Sequence, residues 1–150
     1  MIRGLRPADA DACDGIIAGL PKWFGNEDGI VECAEAVRTH DGFVEEHAGA
    51  VRGFLTYALV RGREAEITWM AVAADARRTG VGTRLLARLV EQVRAAGLAR
   101  LVVKTLSDRE DPGPEYAQTR AFYLAMGFIP EAELYIWGPE NPAQLLAKSI

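Results

Sequence analysis

Cysteine is scarce in this chain of 150 residues: Cys13 and Cys33 are the only two, and neither lies in a CxxC or Cys/His ligand spacing. A disulfide framework or a zinc site has no basis in that pattern. Both cysteines read as reduced, half-buried helix residues, and nothing near Cys13 in sequence activates it as a nucleophile. Histidine is equally rare. His40 and His47 lie in or near turns with no paired Ser, Cys or carboxylate motif, so no metal site and no catalytic triad is expected of them. No apolar run approaches the ~20 residues of a membrane span. The opening segment Met1–Pro7 is broken by Arg3, Arg6 and Pro7, whereas a signal peptide needs ~7 to 15 apolar residues. The expectation is a cytoplasmic protein with no membrane partner. There is also no internal repeat, linker or low-complexity tract.

What is present is the composition of one globular domain spanning residues 1–150, with 49% hydrophobic and 25% charged residues. The net charge of −4 is unevenly spread. Residues 1–75 carry 13 acids against 7 bases, and residues 76–150 carry 8 acids against 10 bases. Arg77, Arg78, Arg84, Arg88, Arg94, Arg100 and Lys104 face a single acid, Glu91, in their stretch. An anionic ligand belongs there, while the acidic total argues against nucleic acid.

Periodicity predicts strands at 2–6, 42–47, 51–60, 64–72 and 100–106, and helices at 9–20, 29–38, 80–96 and 116–126. Phe128 onward resumes as strand, and 133–137 and 144–149 read as a terminal strand pair. Along 64–72, strict alternation places Glu64, Glu66, Thr68, Met70 and Val72 on one face. The helix from Gly80 carries Val81, Leu85, Leu86, Leu89, Val90 and Val93 at three-and-four spacing, opposite Arg84, Arg88, Glu91 and Arg94. Helices mixed with an antiparallel-rich run of strands make the fold class α+β or α/β.

Chemistry concentrates where the strand ending at Val72 passes through Arg77, Arg78, Thr79, Gly80, Val81, Gly82 and Thr83 into that helix. Glycines let backbone N–H groups approach a ligand, a helix N-terminus favours phosphate, and arginines add charge and forked donors. A pyrophosphate fits this cradle. It is neither GxxxxGK[ST] nor GxGxxG followed by an acid about 20 residues on, which argues against ATP and NAD.

Arg77-x-x-Gly80-x-Gly82 resembles the [QR]xxGx[GA] acetyl-CoA loop of the GNAT superfamily of N-acetyltransferases. Residues 65–72 look like that family's fourth strand, and Phe122-Tyr123-x-x-x-Gly127-Phe128 resembles its FYxxxGF segment. Order and spacing agree over about residues 42–130. The resemblance implies a mixed, mostly antiparallel sheet flanked by about four helices, splayed after its central strand to admit acetyl-CoA. It implies that the backbone of Ala71 and Val72 pairs with the pantetheine arm, that Tyr123 is the general acid, and that Glu66 is the candidate base. A phenol titrating near ~10 can protonate a leaving thiolate whose thiol titrates near ~8.5, and an ammonium must lose a proton before attack.

The implied reaction is acetyl transfer from acetyl-CoA, with no metal, to a primary amine on a small molecule or a protein. Polyamine, aminoglycoside, amino acid and protein N-terminus all remain open as acceptors. Trp23, Phe24, Tyr135 and Trp137 are candidates for the acceptor wall, and the terminal strands carrying the last two are a candidate homodimer surface. A non-catalytic acyl-CoA-binding regulatory module is the alternative, and a domain binding another phosphate ligand is a third reading.

Overall fold

The computed structural model describes residues 1–24, 26–107, 114–137 and 142–150. Its strands are β1 (Ile2–Gly4), β2 (Asp41–His47), β3 (Ala50–Val60), β4 (Glu64–Val72), β5 (Arg100–Leu106), β6 (Ile129–Leu134) and β7 (Ala143–Ser149). Its helices are α1 (Ala10–Ala18), α2 (Glu27–Thr39), α3 (Val81–Ala95) and α4 (Pro114–Ala125). They build the expected α+β architecture: one seven-stranded sheet in the order β1-β2-β3-β4-β5-β7-β6, with helices on both faces. Every neighbouring pair is antiparallel except β4 and β5.

The two faces have separate cores. Leu85, Leu86, Leu89 and Val93 of α3 pack with Phe43, Leu55, Ala65, Ile67, Leu101 and Val103, and Tyr123 of α4 joins the same cluster. On the other face Cys13, Ile16 and Ile17 of α1 and Cys33 and Val37 of α2 meet Val44, Phe54 and Ala71. The cysteines are therefore fully buried rather than half-buried, and burial pushes both thiols up to about 12. Neither ionises at neutral pH.

Helix α2 begins at Glu27, earlier than its apolar spacing implies, because the Asn26 side chain accepts from the Asp28 and Gly29 amides at 2.9 and 3.3 Å. The first strand stops at Gly4, and the short helical turn at Pro7–Asp9 begins with a proline that is pre-set for it. Arg3 holds Asp9 through two hydrogen bonds of 2.8 and 2.9 Å, and that guanidinium keeps the Asp9 carboxyl below the usual carboxylate range. The expected strand over 133–137 is not formed. A single strand, β6, pairs with β7 and ends at Leu134, leaving Tyr135, Ile136 and Trp137 outside the sheet. The loop expected over 107–114 and the link at 138–142 lie largely outside the described residues.

Two irregularities position the site. First, β4 pairs with β5 only from Glu64↔Arg100 to Ile67↔Val103, after which β5 continues against β7 while β4 stays with β3. The sheet splits, and the β5-facing edge of residues 68–72 is unpaired, as the resemblance implied. Second, the β3/β4 register passes from Tyr57↔Ile67 to Thr56↔Trp69, so Thr68 is an extra residue in β4. Strict alternation fails there. Ala65 and Ile67 face α3, and beyond the bulge Met70 and Val72 face it too, while Trp69 and Ala71 turn toward α1 and α2. Glu66 therefore lies on the opposite face from Met70 and Val72, contrary to the shared face read from the sequence.

Among the described residues no helix is long and apolar enough to cross a membrane. Tight backbone approach holds β2 to β3. A Cβ at Gly42 would lie 2.2 Å from the Leu55 carbonyl oxygen, a contact that only movement of the main chain relieves. Gly42→Ala is expected to cost about 2–3 kcal/mol and to lower Tm by roughly 5–10 °C in a thermal melt. An unchanged Tm would show that this strand pair can move apart freely.

Candidate functional site

The cradle read from the sequence is a pocket of about 290 Å³ lined by Met70, Ala71, Val72, Arg77, Arg78, Gly80, Val81, Gly82, Thr83 and Tyr123 among others. Leu20 and Phe24, from beyond α1, reach the same pocket from the other side of the split. Its floor is the start of α3. Gly80 takes φ +88°, and Arg78 takes φ +64°, a conformation that costs a non-glycine residue strain. No side chain caps α3, no acid occupies its first turn, and its first helical bond runs from the Arg84 amide to the Gly80 carbonyl. The amides of Val81, Gly82 and Thr83 are thus left for a ligand, with the positive end of the helix dipole behind them.

Two contacts hold this floor against the sheet. At Gly53 on β3 a Cβ would lie 2.6 Å from the Val81 side chain, so the bare backbone lets α3 come close. Arg84 grips the buried Glu45 of β2 through Nε and Nη2 and donates through Nη1 to the Thr79 carbonyl at 3.0 Å. The guanidinium holds the Glu45 carboxyl below its usual range. Arg84 is therefore structural. Thr79, counted with the cradle from the sequence, turns its hydroxyl back to the Ala76 carbonyl and does not line the pocket.

Arg77 and Arg78 supply the charge at the cradle. Arg77 lies over the Trp23 ring at 4.3 Å and reaches Gln118 Oε1 at 3.5 Å. Trp23 is in turn tied to α4: its indole donates to the Glu115 carbonyl at 3.2 Å, and its carbonyl accepts from the Tyr116 hydroxyl at 2.7 Å. This places Trp23, with Phe24 next to it in the cradle lining, on the cradle side; both were expected on the acceptor wall. Tyr123 is buried between Phe122 and Phe128, with edge-on rings at 5.2 and 5.3 Å. Burial alone raises its phenol well above the usual tyrosine value, so the proton stays on across the neutral range.

A second pocket, of about 350 Å³, opens on the α2 face and is lined by Glu32, Glu35, His40, Glu66, Thr68, Trp69, Lys104 and Trp137 among others. Glu66 lies here, apart from the cradle, with Lys104 Nζ 3.3 and 3.4 Å from its two oxygens. The rings of Trp69 and Phe24, one from each pocket, are 6.2 Å apart. Trp137, expected on the acceptor wall, lines this pocket. His40 and Thr68 carried no motif in the sequence, yet the structure brings them together: His40 Nδ1 is 3.0 Å from Thr68 Oγ1. The signal that could have found them is absent from strand periodicity, because the bulge that aims Thr68 breaks it. Among the described residues there is no group of three or more His, Cys, Asp or Glu able to hold a metal ion.

Residues 17–128 match the model of the acetyltransferase (GNAT) family. The chain belongs to that family. Solved structures share the GNAT fold over nearly the whole chain. A protein from Desulfovibrio desulfuricans assigned to the GNAT family is 21% identical, with TM-score 0.85 and 99% of each chain covered. The ribosomal-protein-S18-alanine N-acetyltransferase from Escherichia coli is 21% identical, with TM-score 0.79, covering 100% of this chain and 93% of its own. An aminoglycoside 6'-N-acetyltransferase complexed with coenzyme A is 17% identical, with TM-score 0.76, covering 99% of this chain and 96% of its own. At these identities the likeness is one of fold. No curated protein matches the chain.

Gly82 gives a direct test of the GNAT cradle. A Cβ there would meet two side chains, the Phe122 ring at 3.4 Å and Met70 Cε at 3.9 Å, and Gly82 has no positive φ, so a side chain is tolerated by the fold. Gly82→Asp is expected to keep Tm within a few degrees while weakening coenzyme A binding at least ~100-fold in calorimetry, as a carboxylate meets phosphate at close range. Unchanged affinity would remove the start of α3 from the binding site.

Proposed function

We propose that residues 1–150 act as one catalytic domain, an N-acetyltransferase that passes the acetyl group of acetyl-CoA directly to a primary amine. The observation that carries this reading is the split sheet. The cradle pocket and the α2-face pocket lie on either side of the β4 segment that leaves β5, so donor and acceptor can be held together on one unpaired edge. Direct attack in a ternary complex follows. The alternative of an acyl-enzyme lacks a nucleophile among the cysteines, since both thiols are buried and protonated. The names of two fold neighbours, both N-acetyltransferases, support nitrogen as the acceptor atom.

In this reading the amides of Val81, Gly82 and Thr83 and the guanidinium groups of Arg77 and Arg78 hold the pyrophosphate. The free main-chain edge at Ala71 and Val72 pairs with the pantetheine arm, and an N–H there polarises the thioester carbonyl as negative charge develops on its oxygen. Tyr123 gives its proton to the departing thiolate. Burial keeps its phenol protonated at neutral pH, so the proton is in place when the thiolate departs. Glu66 and its Lys104 partner stand in the acceptor pocket, where the carboxylate is the sequence's candidate base.

The intact Tyr123, buried yet lining the cradle, favours an enzyme over a regulatory module that only binds acyl-CoA. The first test needs no acceptor. Acetyl-CoA at ~100 times its Kd is expected to add about 2.7 kcal/mol of stability, a rise in Tm of roughly 5–10 °C, with no rise from equal ATP or NAD. A flat response to acetyl-CoA in folded protein would overturn the donor assignment. With an acceptor in hand, Tyr123→Phe is expected to lower kcat by roughly 100-fold with an unchanged KM for acetyl-CoA. No alkaline fall in kcat from loss of the Tyr123 proton is expected below about pH 10. Equal turnover in the variant would take Tyr123 out of the chemistry.

A further inference from the structure

Resting on the acetyl-transfer reading above, we propose that the acceptor's ammonium is deprotonated by a relay, from Thr68 Oγ1 to His40 Nδ1, oriented by Thr56. This assigns proton removal to a different pair of residues from Glu66. The geometry begins with His40, the residue joining α2 to β2. Its amide donates to the Ala36 carbonyl at 2.8 Å, closing the helix, and the next residue, Asp41, opens β2 against Tyr57. The backbone is fixed on both sides, which fixes the point from which the ring projects.

Thr68 Oγ1 stands 3.0 Å from His40 Nδ1 and 2.7 Å from Thr56 Oγ1. Counting hydrogens orders this chain. Thr56 is fully buried, and its hydroxyl hydrogen finds an acceptor only if it donates to Thr68. In the proposed relay Thr68 in turn donates its own hydrogen to Nδ1, and the neutral imidazole carries its proton on Nε2. One lone pair of Thr68 Oγ1 is left over, and Thr68 lines the acceptor pocket. An ammonium placed there donates to Thr68 as Thr68 donates to His40.

Glu66 lies in the same pocket, but its carboxylate already receives the Lys104 ammonium. His40 Nδ1 receives only the Thr68 hydroxyl. The charged groups lining this pocket with His40 are Glu32 and Glu35 from its own helix, Glu66 from β4 and Lys104 from β5. Asp41 follows it in the chain. The bulge is what makes the relay possible, since Thr68 is the extra residue that the β3/β4 register passes over.

The balance of the reaction closes. One ammonium proton passes through Thr68 to His40 and from there to solvent. The freed lone pair forms the C–N bond at the acetyl carbonyl carbon, and the C–S bond breaks. Tyr123 protonates the thiolate, and the second proton lost from nitrogen, as the amide forms, restores Tyr123. The products are the amide, coenzyme A thiol and one proton.

Two measurements test the relay. Imidazole nitrogen NMR of the full chain without ligand is expected to find neutral His40 protonated at Nε2, with Nδ1 accepting. The Nδ1–H form would overturn the proposal whether or not an acceptor is known. For turnover, spermidine, kanamycin and an alanine-initiated peptide serve as amine probes. With whichever is acetylated, His40→Asn, whose side-chain oxygen can still accept from Thr68, is expected to lower kcat about 100-fold at pH 7 with KM for acetyl-CoA unchanged. The deficit is expected to shrink toward pH 10, where solution supplies free amine, and a purely structural loss would not shrink. Thr68→Ser is expected to stay within about threefold of the parent. His40→Asn at parental kcat, or a deficit that is constant with pH, would overturn the relay. Failure of the acetyl-CoA reading itself shows separately, as a missing Tm shift with acetyl-CoA.

Discussion

Everything at this site depends on the hydrogen bonds that β4 and β5 do not make. A parallel pair that continued past Ile67↔Val103 would close the sheet and seal the edge of residues 68–72. Instead β5 keeps its full run of partners on β7, and β4 keeps its own on β3, so the cost of parting falls on one edge of each strand. Unpaired main-chain groups of this kind are stable only where water or a ligand satisfies them. The two pockets meet the sheet at this opening, the cradle from the start of α3 and the second pocket from α2.

The cradle owes its charge to fewer residues than a count of arginines implies. Arg84 is spent on buried Glu45, Arg88 lies over the Phe43 ring at 4.7 Å, Arg100 is paired with Glu64 and Glu131, and Lys104 is paired with Glu66. Arg94 sits in the last turn of α3, at the far end from the cradle, and Arg77 and Arg78 are the two that line the pocket beside the uncapped amides. A buried carboxylate with an arginine on it contributes more through fixing geometry than through net stability. Here it fixes the first turn of α3 to β2, which keeps the amides aimed at one place.

Much of this was legible beforehand because it is written in local chemistry. Gly80 and Gly82 opening an amphipathic helix after a strand, together with Tyr123 one helix later, located the cradle and named the family. The apolar stripe of α3 fixed which side faces the sheet. The α2-face pocket was not legible, for two physical reasons. Its lining comes from α2, β4, β5 and Trp137, which meet only after folding. And strand parity, the rule that put Glu66 with Met70 and Val72, holds only while each residue has a partner across the ladder. Likewise the strand assigned to 133–137 followed aromatic β propensity, whereas pairing with β7 stopped at Leu134.

The extra residue at Thr68 also divides β4 into two lengths of independent phase. Upstream, Glu66 looks into the α2-face pocket. Downstream, Met70 and Val72 look toward α3 and Tyr123. Changes of side chain on one length leave the facing of the other untouched, so the lining of the α2-face pocket can drift in evolution while the cradle stays fixed. Length is a different matter. Loss of a single residue here would restore simple alternation and turn one of the two lengths inside out, which makes this strand tolerant of substitution and intolerant of deletion.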